Sequence, residues 1–144
     1  SNPAELTGLN IYLLRELAGV PHPRRIRHLA ACLAPLRVSR VDPRTLRVRP
    51  EGGFFDQEFM RISRGTSRPF HPGDEVVLSD MRARVRAVTG DGRPAEVDFA
   101  FALPLEDGSL LWRRLHAGGL LTPWSPPAVG ETVLLPAVAP QSVP

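Results

Sequence analysis

The sequence predicts an α+β fold, an N-terminal helical hairpin followed by a mainly antiparallel, β-rich domain. Three observations carry that reading. Apolar residues recur at helical spacing up to residue 34, and the spacing switches to strict alternation from residue 36. Sixteen prolines in 144 residues favour short elements joined by turns over long uninterrupted helices. Ser1 and Asn2 are set aside as the scar of a cleaved tag, residues 3–35 are assigned to the hairpin, and residues 36–136 to the β-rich domain.

In the hairpin, residues 5–18 place Leu6, Leu9, Leu13 and Leu17 on one stripe. Gly19 suits the left-handed position after a helix, and Pro21 lies beyond it. Residues 23–34 place Ile26, Leu29, Ala30 and Leu33 on one face and Arg24, Arg27 and His28 on the other, bounded by Pro23 and Pro35. The alternation then begins. Leu36 and Val38 are interleaved with Arg37 and Ser39. After the turn signal Asp42-Pro43-Arg44, Leu46 and Val48 are interleaved with Arg47 and Arg49. The best apolar register sets Val38 against Val48, which puts Arg37 opposite Arg49 and Ser39 opposite Arg47.

Residues 54–63 lean towards a short helix, and the stretch to Phe70 reads as loop. Pro72-Gly73 then fits a type II turn that leads into a strand. MRARVRAVTGDGRPAEVDFAF, residues 81–101, reads as a hairpin turning at Gly90-Asp91-Gly92. It sets Val85 against Val97, Ala83 against Phe99, Arg84 against Asp98 and Arg86 against Glu96. Residues 110–116 and 119–124 read as another strand pair, and VGETVLLP as a turn and a last strand. GDEVVL at 73–78 and GETVLL at 130–135 are alike, too short to establish a repeat. The expected total is six to seven short strands in a small rolled sheet or partly closed barrel, with a disordered tail over 137–144.

All eighteen basic residues are arginines, and the net charge is +3. Residues 1–50 hold nine arginines against Glu5, Glu16 and Asp42, while the remainder holds nine against twelve acids. The electropositive region is therefore N-terminal. The single cysteine, Cys32, excludes an intrachain disulfide and reads as a small buried hydrophobe. No phosphate-binding glycine loop, nucleophile elbow or zinc-protease signature is present, and His22, His28, His71 and His116 are scattered. His28 and Cys32 share a predicted helix face, a spacing too common to nominate a ligand pair. No catalytic, cofactor-binding or metal-binding residue is nominated, and no cofactor is expected.

The expected function is that of a soluble, cytoplasmic, non-enzymatic accessory or interaction domain of a larger bacterial protein, with the cytoplasmic face of a membrane as its expected contact surface. Its contact residues for an anionic membrane surface, or for the rest of the parent protein, are Arg24, Arg25, Arg27, Arg37, Arg47 and Arg49. Trp112 and Trp124 are nominated as aromatic anchors, with core filling as the competing role. A small nucleic-acid-binding barrel using the same arginines is the alternative. It is disfavoured because no aromatic row is interleaved with the basic strands to stack bases.

Overall fold

A computed structural model describes residues 29–30, 34–54, 69–116 and 120–138. In chain order their strands are β1 (Leu36–Asp42), β2 (Thr45–Pro50), β3 (Glu75–Val77), β4 (Met81–Val88), β5 (Pro94–Phe101), β6 (Arg113–Leu115), β7 (Leu121–Pro123) and β8 (Thr132–Leu135). β6 and β7 pair with each other. The other six form one antiparallel sheet in the order β3-β4-β5-β2-β1-β8.

The α+β class is overturned, because the described residues contain no helix and their regular structure is antiparallel strand. Of the expected hairpin 3–35, only Leu29, Ala30, Ala34 and Pro35 are described, and none is helical. Leu29 and Ala30 instead pack, partly buried, against the core of the sheet. Apolar spacing records which residues are wanted inside, and a coil laid over a sheet meets that demand as well as a helix does. The remainder of the hairpin, with the tag scar, lies outside the described residues. So do most of the expected helix at 54–63 and the end of the tail. β3 and β8 end the sheet and do not pair with each other.

Alternation sorts the sheet into two faces. One apolar row runs across five strands as Val85, Val97, Val48, Val38 and Val133, each directly opposite the next. A second row runs Val76, Ala83, Phe99, Leu46 and Arg40. Phe54, Phe70 and Leu105 come from loops and are buried with these rows, and Phe54 meets the edge of Phe99 at 6.4 Å. Gly53 lets the chain approach Pro94. Its φ is +85°, and a β-carbon there would lie 2.6 Å from Thr89 and 3.0 Å from the Pro94 carbonyl oxygen.

The register has an internal two-fold relation centred on the opposed pair Arg47 and Asp98. It exchanges β2 with β5, β1 with β4 and β8 with β3. Gly73 donates its N–H to the Val85 carbonyl, and the Val85 N–H is given to Asp74. Gly130 and Glu131 make the same pair of bonds with Arg40. Both inner hairpins slip register at the equivalent residue, Val41 in β1 and Arg86 in β4. GDEVVL and GETVLL thus occupy equivalent places, each entering an edge strand through a turn with glycine at positive φ, +94° at Gly73 and +84° at Gly130.

The first hairpin has the expected register: Val38 faces Val48, Arg37 faces Arg49 and Ser39 faces Arg47. In the second, Val85 faces Val97 and Arg84 faces Asp98, as expected. Arg86 does not face Glu96. The bulge removes it from the ladder, and Ala87 takes the position instead.

Candidate anion-binding face

The second face of the sheet is polar. A row crosses all six strands as Glu75, Arg84, Asp98, Arg47, Ser39 and Thr132. Around it stand Arg37, Arg49, Arg82, Arg86 and Glu96. The face therefore carries six arginines, Arg37, Arg47, Arg49, Arg82, Arg84 and Arg86, against three acids, Glu75, Glu96 and Asp98.

Two of the acids sit low, and three of the arginines stand well above them. Asp98 and Glu96 are 15% and 21% exposed, against 53% for Arg49, 59% for Arg82 and 44% for Arg86. Asp98 spends its carboxylate on Arg47, which donates Nε to Oδ1 at 2.7 Å and an Nη to Oδ2 at 3.0 Å. That bidentate bond raises the Arg47 guanidinium above its already high ordinary value. Arg86 approaches the same carboxylate at 3.7 Å. Glu96 is shared between Arg49 at 3.4 Å and Arg47 at 3.8 Å, and Glu75 pairs with Arg82 at 3.1 Å. Among the described residues, Arg37 and Arg84 have no ion-pair partner. Both are exposed, Arg84 between the opposed acids Glu75 and Asp98, and the other four each pair with a carboxylate of the face.

Of the six arginines nominated from sequence, Arg37, Arg47 and Arg49 meet on this face. Arg24, Arg25 and Arg27 lie outside the described residues. β5 pairs with β2 and brings Asp98 and Glu96 to Arg47 and Arg49. Sequence reasoning also kept the two hairpins apart and so missed that Arg82, Arg84 and Arg86 extend the same field. The signal was the matched alternation of arginines at 47 and 49 with acids at 96 and 98, read across strands that are distant in the chain.

Family models, curated proteins and solved structures yield no match to this chain.

The nominated tryptophans lie elsewhere. Trp112 and Trp124 are partly buried against the core and meet edge-on at 6.0 Å. Trp112 also meets Phe101 at 5.2 Å and donates its ring N–H to the Leu105 carbonyl at 2.9 Å. With Leu105, Glu106 and Pro126 they line an open cleft of about 390 Å³, whose floor includes Arg40. Arg40, on the apolar face of β1, is 6% exposed. It donates to the carbonyls of Pro43 at 3.0 Å, Pro127 at 3.3 Å and Asp42 at 3.4 Å, and it is hydrogen-bonded to the Glu106 carboxylate. That bond raises the guanidinium and holds the Glu106 carboxyl below its ordinary range. Four of its five guanidinium N–H groups are taken by partners from the chain itself, so it ties loops together.

Among the described residues no group of three or more His, Cys, Asp or Glu could hold a metal. His71 lies 3.9 Å from Asp74 in an exposed turn, and the His116 ring bonds the Thr122 hydroxyl at 2.7 Å. Nor is any helix of the described residues long and apolar enough to cross a membrane.

Proposed function

We propose that this chain is a non-enzymatic docking module whose polar sheet face contacts an anionic phospholipid surface. The observation that carries the reading is the placing of six arginines on one face above half-buried acids. A guanidinium already oriented by a carboxylate beneath it keeps outward N–H groups free for a second acceptor, and phosphate matches that planar fork. Arg37 and Arg84 supply charge with no internal competitor among the described residues. Lipid is favoured over nucleic acid because the described aromatic residues belong to the opposite face and its loops, where they cannot stack bases.

Co-sedimentation with vesicles tests this. At low ionic strength the protein is expected to bind phosphatidylserine-containing vesicles, to ignore pure phosphatidylcholine, and to release as salt is raised. The triple variant Arg37→Gln/Arg84→Gln/Arg86→Gln should weaken binding about a hundredfold, at about 1 kcal/mol for each basic residue near the surface. Absence of binding by the unaltered protein, or indifference to the three substitutions, would overturn the proposal.

A further inference from the structure

The two-fold relation of the sheet makes a comparison that neither half offers alone. On the polar face most equivalent positions differ: Ser39 answers to Arg84, Val41 to Arg86, Arg49 to Ala100, and Thr132 to Glu75. Two keep their chemical type. Arg37 answers to Arg82, and Leu134 to Val77. These positions are also paired, with Leu134 directly opposite Arg37 and Val77 directly opposite Arg82. Each outer edge of the arginine field therefore ends in an arginine beside an aliphatic side chain.

Those two aliphatics are the most exposed large apolar residues of the described chain, Leu134 at 69% and Val77 at 66%. A single exposed aliphatic is ordinary. Two at equivalent corners of a charged face, each next to an arginine, form a pattern with a use. A guanidinium sits at the level of lipid phosphates, and a leucine or valine beside it reaches the acyl boundary just below.

We infer that Leu134 and Val77 are shallow hydrophobic anchors, so that the face grips an anionic bilayer at two equivalent corners as well as through its charge. The corners lie on the outermost strands, five interstrand steps apart, or about 24 Å at 4.8 Å for each step. The arginines between them give attraction at a distance, and the corners give retention at contact. The inference rests on the lipid-docking proposal above and adds the apolar component to it.

Leu134→Ser, Val77→Ser and the double variant separate the two. Both side chains are exposed, so the variants should fold, and unchanged thermal melting checks that they do. In titrations with mixed phosphatidylcholine–phosphatidylserine vesicles, each single substitution should weaken binding about three- to tenfold. The double should weaken it by roughly the product, and what remains should keep its salt dependence. If the double variant binds as the unaltered protein does while the arginine variants do not, the anchors are refuted and the electrostatic proposal stands. If the unaltered protein does not bind these vesicles, both fall. Tighter binding to single-stranded DNA than to vesicles, unmoved by the serine substitutions, would also overturn the inference.

Discussion

Arg40 occupies the place that Val85 holds in the other half of the sheet, so a charge stands where its counterpart is a buried methyl pair. It is tolerated because three backbone carbonyls and the Glu106 carboxylate accept from the guanidinium. Arg40→Met keeps the stem but leaves those carbonyls without a donor. It should destabilise by about 2–4 kcal/mol, measured by urea denaturation. Glu106 gives a pH dependence. Its folded pKa lies below the ordinary 4.5 because Arg40 donates to it. Its contribution is therefore complete above 4.5 and is lost as pH falls through the lower folded value. The stability difference between the unaltered protein and Glu106→Gln should be constant near neutrality and shrink below pH 4.5, as read from denaturation curves across that range. Alternation puts Arg40 in phase with Leu36 and Val38, on the apolar face, whereas Arg37, Arg47 and Arg49 fall on the other; what it does not show is how the charge is met, because Glu106 and Pro127 are far along the chain.

At the scale of the strand pair, the hairpin registers were legible because a one-residue slip would bury arginines and expose valines. The bulge at Arg86 was not, since an extra residue costs the alternation little and shows only when a partner strand is present. Nor was the pairing of β2 with β5, which joins segments about fifty residues apart and decides what Arg47 meets. That pairing makes a prediction with opposed effects. Asp98→Asn removes the acid that Arg47 grips and should cost about 1–2 kcal/mol of stability. The same change uncovers a positive charge and should tighten binding to phosphatidylserine vesicles several-fold. Turns make a further contrast. Gly130→Ala meets no atom within 4 Å and carries only the strain of positive φ, about 1 kcal/mol. Gly53→Ala adds a clash with Thr89 and the Pro94 backbone, and should cost about 2–4 kcal/mol. Equilibrium denaturation of the two variants side by side checks the order.

For the whole molecule, the sequence conveyed an antiparallel, hairpin-rich domain, and it showed two similar six-residue phrases without showing what they were. In the fold those phrases are the equivalent edges of one sheet. The helical class failed because leucine and alanine spacing in a short segment reports burial, and Leu29 and Ala30 are partly buried against the core without being helical. The candidate face failed to emerge as a unit because its six arginines come from three strands, joined only by long-range pairing. Placing all six on one side, with the described aromatic residues on the other, gives the proposed docking a direction: the polar face towards lipid, the cleft beside Trp112 and Trp124 away from it. That orientation is the central claim. It is measured most directly with an environment-sensitive fluorophore on a single cysteine, in a Cys32→Ser background, placed at Thr132 on the polar face or at Leu111 beside the cleft. With phosphatidylserine-containing vesicles, the Thr132 probe should shift to the blue and the Leu111 probe should stay unchanged. A shift at Leu111 without one at Thr132, or at neither position, would contradict the account.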